Sequence, residues 1–264
     1  MSLTKPLLAL IPLLFMLNTS LSAQNLDAYQ KELFIVKSDT LPYRILYPKN
    51  YDTTKKYPLL LFLHGSGERG HDNELQLVHG ASLFLKELVR DEFPAVVVFP
   101  QCQTNLSWNN SKVEYTNGAR IYSYPPTIEP NSQLDLVEGL LAQLKTEVAV
   151  NQDRIYLGGL SMGGMGTFEL LHRNPNTFAA AFAICGGANP KIASKIRSTP
   201  LWIFHGDADV VVPAKYSIGM YEALKAQKAD VTLNLYPNVT HDSWTKTFTE
   251  PELLPWLFSK QRKH

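Results

Sequence analysis

The sequence predicts an α/β fold built on a mostly parallel, eight-stranded sheet flanked by helices. Three observations lead there. Short β-type runs recur along the 264 residues. Several are continuously apolar rather than alternating, as strands covered on both faces are. Helical patterns lie between the later runs, so strand and helix alternate. With 45% hydrophobic and 19% charged residues, the chain carries enough apolar material for one sizeable core.

In chain order the strand candidates are ELFIV (32–36), YRILY (43–47), YPLLLFLH (57–64) and AVVVFP (95–100). They continue with RIYLGGL (154–160), FAAAFAICGG (178–187), LWIFHG (201–206) and VTLNLYP (231–237). The first two precede Pro58 with only a short connection, which predicts an antiparallel hairpin at the sheet edge. SQLDLVEGLLAQLKTEV (132–148) places Leu134, Val137, Leu140, Leu141, Leu144 and Val148 on one helical face. Ser132 with Asp135 resembles a capping box at its start. KYSIGMYEALKAQ (215–227) reads as a further helix and PELLPWLFSKQ (251–261) as a terminal one. Residues 103–130 are rich in Asn, Ser, Tyr and Pro and show no clear periodicity. Long irregular insertions of this kind tend to be functional.

The amino terminus has its own pattern. Lys5 is followed by an apolar run at 7–17 and then by the small and polar residues Ser20, Ser22 and Ala23. This is the layout of a secretory signal peptide, too short to span a bilayer comfortably, with cleavage expected after Ala23. The expected organisation is a leader at 1–23, a single catalytic domain at 24–264, and a secreted or periplasmic protein without stable membrane association. A net charge of +1 leaves no electrostatic footprint for nucleic acid. Cys102 and Cys185 each follow a predicted strand, and two buried free thiols are expected rather than a disulfide.

The chemistry begins at Gly159-Leu160-Ser161-Met162-Gly163, which fits G-x-S-x-G. It follows the run RIYLG and opens the helical pattern MGTFELLHR, the strand–turn–helix context that a nucleophile elbow demands. The turn is so sharp that only small residues fit two positions to either side of the serine. A serine nucleophile needs a base, and the base needs an orienting acid. LWIFHGDADVVVP offers Asp207 and Asp209 at the end of one strand, and LYPNVTHDSW supplies His241 beyond the last. All lie at carboxyl ends of strands, where open α/β sheets gather their functional groups. Asp209 is the expected acid, with Asp207 holding the turn and Asp242 a loop residue.

Gly65, Gly67 and Gly70 also satisfy G-x-G-x-x-G. A dinucleotide site is rejected, because the next strand ends in Gln101 rather than an acid and ERGHDNE starts no helix. The loop reads instead as an oxyanion loop, with backbone N–H groups from Ser66 and Met162 as the donors. Glu68, Arg69, Asp72 and Asn73 are expected to form an internal ion-pair network that fixes it. Trp108 and Trp244 either line an acyl or aromatic-substrate wall or pack in the core. The seven histidines show no metal-ligand spacing, so neither a metal nor another cofactor is expected.

On these residues the chain resembles the α/β-hydrolase superfamily. The likeness is to secreted esterases of the phospholipase/carboxylesterase-like, "predicted peptidase" group, beside carbohydrate esterase family 1 feruloyl esterases and polyhydroxybutyrate-depolymerase-like enzymes. It is carried by His64-Gly65-Ser66-Gly67-Glu68-Arg69-Gly70 with Asp72-Asn73, Pro100-Gln101-Cys102 with Trp108, and Asp153-Arg154-Ile155-Tyr156. Gly159 to Gly164, Cys185-Gly186-Gly187, His205-Gly206-Asp207-Ala208-Asp209 with Val212-Pro213, and His241 with Trp244 complete it. The resemblance implies a Ser161, Asp209, His241 triad and an ester substrate, with acetyl or feruloyl esters of polysaccharide as candidates. A serine peptidase of related fold and a non-catalytic binding module on a hydrolase scaffold are the alternatives. An intact triad argues against the second.

Overall fold

The computed structural model describes residues 26–262. The leader expected at 1–23 lies outside the described residues. All eight predicted strand regions form one sheet. Its strands are β1 (Gln30–Val36), β2 (Asp39–Leu46), β3 (Tyr57–Leu63), β4 (Val96–Pro100), β7 (Val150–Leu160), β8 (Ala180–Ile184), β9 (Leu201–Gly206) and β10 (Val231–Tyr236). Their order is β1-β2-β4-β3-β7-β8-β9-β10. Only β2 opposes its neighbours, pairing antiparallel with both β1 and β4, while every other neighbouring pair is parallel. The expected edge hairpin is β1–β2.

The continuous apolar runs follow from the layers around the sheet. In β3, Leu59, Leu61 and Leu63 face one core and Leu60 and Phe62 the other; in β4, Val96 and Val98 divide from Val97 and Phe99 in the same way. Period-two alternation therefore sends every side chain into a core, and no position calls for a polar residue. The first face is covered by α2 (Ser132–Glu147), α3 (Met162–Arg173), α4 (Ala193–Ile196) and α5 (Lys215–Ala226). The second is covered by α1 (Glu87–Glu92), α6 (Trp244–Thr247) and α7 (Leu253–Ser259) and by short 3-10 turns carrying Leu77, Ala81 and Phe84. Among the described residues no helix is long and apolar enough to cross a membrane.

The 103–130 segment is more ordered than its composition suggests. Its middle is a separate two-stranded hairpin, β5 (Lys112–Thr116) and β6 (Ala119–Ser123), closed by Asn117 and Gly118 at φ 51° and 77°. An Asn-Gly pair with positive φ at both positions is the preferred two-residue hairpin turn. The hairpin docks on α5: the Tyr122 N–H donates to Tyr216 Oη at 2.7 Å, and the rings of Tyr122 and Tyr124 stack. Asn110 anchors the preceding stretch to α3 through Glu169.

Two details differ from expectation or go beyond it. The cap of α2 is Asn131, not Ser132: the Asn131 side chain accepts the Leu134 N–H at 3.0 Å and also donates to Ser107 O. A side-chain oxygen one residue earlier reaches the third N–H of the helix, so the capping-box expectation shifts by one position. The second detail is His64, buried just past β3. Its Nε2 accepts the Cys102 N–H at 2.9 Å, so Nδ1 bears the hydrogen given to Gly65 O at 2.6 Å. Burial drives this ring down to about 4, so it is neutral and locks the end of β3 to the segment after β4.

Two predictions follow from these contacts. Asn131→Ala should cost about 1–2 kcal/mol in denaturant unfolding, and Ser132→Ala less than about 0.5. For His64 the folded state binds its proton less readily than the unfolded state, so stability is lost as the pH is lowered. The loss should begin near the free histidine value, about 6.5, and continue to about 4. Urea midpoints across that range should show it, and His64→Gln should flatten that part of the curve.

Candidate active site

Ser161 sits between the last residue of β7 and the first of α3. Its backbone lies at φ 52° and ψ −116°, a conformation rare for a residue with a side chain. Packing imposes it. A Cβ on Gly159 would lie 2.2 Å from Gly163 O, and one on Gly163 only 2.0 Å from Leu63 O. Both glycines of the motif are therefore required by close backbone approach, as the motif reading expects. The Ser161 N–H donates to Ile184 O at 2.9 Å, and the Met165 N–H donates to Ser161 O at the same distance. The hydroxyl is left projecting at the helix start.

The expected partners are in place. Ser161 Oγ lies 2.9 Å from His241 Nε2, and His241 Nδ1 lies 2.7 Å from Asp209 Oδ2. A carboxylate only accepts, so Nδ1 carries hydrogen and a neutral ring leaves Nε2 free to receive the serine proton. Asp209 is held at its other oxygen by the N–H groups of Val211 and Val212, at 2.8 and 2.9 Å. Burial alone would raise this carboxyl; the hydrogen bonds from His205 and His241 outweigh it and hold it well below the usual carboxylate range. Asp207 does not hold its own turn as expected: its side chain accepts the Asn238 N–H at 2.7 Å, in the turn after β10. Asp242 accepts from Thr245 and takes no part in the relay.

Ser66 opens a short turn directly after Gly65, and Met162 begins α3. Because Gly163 presses on the backbone of Leu63 and His64, the segments that carry the Ser66 and Met162 N–H groups are packed together. The loop is fixed mainly by hydrogen bonds to backbone, which corrects the ion-pair expectation. Arg69 donates to the carbonyls of Ser66 and Leu106, and Asp72 accepts the N–H groups of Glu74 and Leu75. Gln101, fully buried, is the hub: it donates to Asp72 and accepts the Asn73 N–H at 2.8 Å in both cases. Glu68 approaches His79 at 3.6 Å. In the sequence, Gln101 and His64 stand among the residues that carry the family resemblance, but neither is marked there as a structural hub. The signal for both was a polar residue ending a wholly apolar strand.

The two tryptophans separate. Trp108 is fully buried and edge-on to His64 at 5.3 Å, so it is a core residue and forms no part of a substrate wall. Trp244 is half-buried and stands edge-on to His241, with ring centroids 5.4 Å apart, and also contacts His79. It remains the candidate. Both cysteines are buried free thiols. Cys185, Asp209 and His241 bring possible ligand atoms within 4.8 Å of one another. Burial raises the Cys185 thiol far above its ordinary value, and the other two groups are already bonded to each other, so these residues do not form a ready metal site.

Comparison with known proteins agrees with this architecture. Residues 51–251 match the model of the Phospholipase/Carboxylesterase family. A bifunctional acetylxylan esterase/xylanase of Neocallimastix patriciarum is 30% identical over 188 residues, 69% of this chain but 24% of that protein. A lysophospholipase-like protein 1 of Mus musculus is 26% identical, with 76% of this chain and 86% of that one aligned. Among solved structures, a thermostable esterase superposes with a TM-score of 0.80 at 32% identity, over 89% of this chain and 64% of the other. A feruloyl esterase of Anaeromyces mucronatus shares the fold with a TM-score of 0.63 at 14% identity, over 86% and 89% of the two chains. The chain thus spans about a quarter of the first relative and under two thirds of the thermostable esterase. By its family match and its sheet order, the chain belongs to the phospholipase/carboxylesterase family of α/β-hydrolase fold.

Proposed function

We propose that the protein is an exported serine hydrolase of carboxylic esters. The observation that carries this reading is the unbroken relay from Ser161 Oγ through His241 to Asp209, set on a strained turn at a helix start. In the first step Ser161 attacks the ester carbonyl while His241 Nε2 takes its proton. Asp209 keeps the imidazole in the tautomer that allows this and stabilises the cation that forms. The developing oxyanion is met by the N–H groups of Ser66 and Met162. The proton on His241 then passes to the leaving alcohol. A water activated by the same ring releases the acid and restores the serine.

Acetyl or feruloyl esters carried on polysaccharide are the favoured substrates, since relatives and neighbours include an acetylxylan esterase and feruloyl esterases. Export is supported by Lys5, the apolar run and the small residues up to Ala23.

Three outcomes are expected of the secreted, processed protein. Ser161→Ala should lower ester turnover by about 10⁴-fold or more, with the fold unchanged by circular dichroism. Asp209→Asn should lower kcat by about 10³- to 10⁴-fold with KM little altered, because the carboxamide loses the charge that fixes the tautomer. In a panel of acetyl, butyryl, octanoyl and methyl ferulate esters, Ser161-dependent rates should favour the acetyl or ferulate ester. Preference for octanoyl would redirect the assignment to lipid or polyester substrates. No ester turnover with an intact relay would favour the peptidase or binding-module alternative.

A further inference from the structure

We propose that His205 is a buried imidazolium bound to Asp209, a second histidine on the same carboxylate, whose charge sets how far into acid His241 can act as base. The inference rests on the Ser161–His241–Asp209 reading above. His205 is the penultimate residue of β9 and is wholly buried. It takes no part in the proton transfers of the proposed mechanism.

The hydrogen count argues for the charge. His205 Nε2 lies 2.7 Å from Val212 O and 3.2 Å from Asp209 Oδ2. A carbonyl and a carboxylate both only accept, so Nε2 carries hydrogen. His205 Nδ1 lies 2.7 Å from Ser217 Oγ, and that hydroxyl lies 3.1 Å from Gly186 O. A hydroxyl has one hydrogen. Given to Gly186 O, it leaves Nδ1 to donate, and the ring is an imidazolium. Given to Nδ1, it leaves Ser217 Oγ and Gly186 O in contact with no hydrogen between them, in a place where Ser217 is wholly buried. Only the charged ring satisfies every contact, and unsatisfied buried polar atoms are costly.

Electrostatics agree. The Asp209 side chain is inaccessible to solvent, and among the described residues its ion-pair partners are His205 and His241 alone. His241 is neutral when it waits to receive the serine proton, so a neutral His205 would leave a lone carboxylate charge in the interior. An imidazolium at His205 brings the buried cluster to zero net charge. The other titratable groups around it do not supply the missing cation. The Cys185 thiol at the end of β8 and the Tyr122 phenol of the hairpin are both raised, chiefly by burial, and stay uncharged near neutrality. Asp242, beyond His241, is exposed, acidic, and bonded to Thr245.

The consequence falls on His241. Its protonation would set a second cation on one carboxylate, which like-charge repulsion opposes. His205 is thus a positioning residue that keeps His241 unprotonated, and the enzyme active, at lower pH than Asp209 alone would allow.

The test has two arms. In the first, uniformly ¹⁵N-histidine-labelled wild-type protein is examined by NMR at pH 7.5, with the His205 ring assigned by its perturbation in Ser217→Ala. Both His205 nitrogens should carry hydrogen; a ring with one bare nitrogen overturns the proposal. In the second, the pH dependence of kcat/KM is measured for His205→Gln, which keeps an amide donor and removes the charge. The acidic limb should move up by about one pH unit. A fall in rate with the limb unmoved overturns the charge role and leaves a purely structural one. Should His205→Gln fail to fold, the wild-type NMR still decides the ring's state. That spectrum does not depend on turnover, so loss of the serine mechanism in the Ser161→Ala assay would be seen separately.

Discussion

The backbone of Ser161 is the point on which the rest of the site depends. A residue with a side chain held at φ 52° is unfavourable by about 1–3 kcal/mol in isolation. It persists because three strands and a helix meet around it. Its N–H is taken by Ile184 on β8, its carbonyl opens α3, and the first turn of that helix rests on the backbone of Leu63 and His64 at the end of β3. Relaxing the turn would lift α3 from β3 and carry the Ser66 loop with it. Ser161 and the Ser66 loop are therefore one packed object, and their relative position comes from the sheet.

The sheet also explains where charge is tolerated. Two strands end in the same dipeptide: His64-Gly65 after β3 and His205-Gly206 closing β9. Both rings are buried, yet they face opposite demands. His64 meets the Cys102 N–H, which requires a bare nitrogen, and is neutral. His205 meets a carboxylate, a carbonyl and a hydroxyl already directed at another carbonyl. The same side chain in the same position of an α/β sheet is thus a neutral clamp in one loop and a charge partner in the other. What differs is whether a donor or an acceptor stands opposite.

Much of this was legible in sequence, and for a physical reason. Strands buried on both faces must be apolar throughout, so β3, β4 and β8 announce themselves, and the elbow requires glycines that no alternative residue can replace. The order Ser161, Asp209, His241 follows from strands delivering their loops to one edge. Other features were less visible because their determinants are contacts rather than patterns. Trp108 sits in a stretch of polar residues and gives no periodic sign of burial, yet its ring fills the space beside His64. Asn131 and Ser132 are both good caps, and only the path of the chain decides which oxygen reaches Leu134. The β5–β6 hairpin is a different case. Asn117-Gly118 is a strong local turn signal and Lys112-Val113-Glu114-Tyr115-Thr116 alternates polar and apolar, but so short a run, fully exposed and set in a stretch rich in Asn, Ser, Tyr and Pro, buries no core face that would mark it as a strand.

That exposed hairpin bears on how such a site can separate chemistry from choice of substrate. Its foundation is fixed at both ends: Trp108 is in the core, Asn109 donates to Met162 O on α3, and the other end leans on Tyr216 of α5. Between these anchors, all of β5 is exposed, with Tyr115 at 68% and Val113 at 42% accessibility. Side chains there bury no core surface, so substitutions change the hairpin's surface at little expense in folding free energy. Ser161, His241 and Asp209 have no such latitude, since each is bound by backbone conformation or buried hydrogen bonds. Variation can then collect beside the relay without entering it, because the hairpin takes its position from its ends and not from its tip.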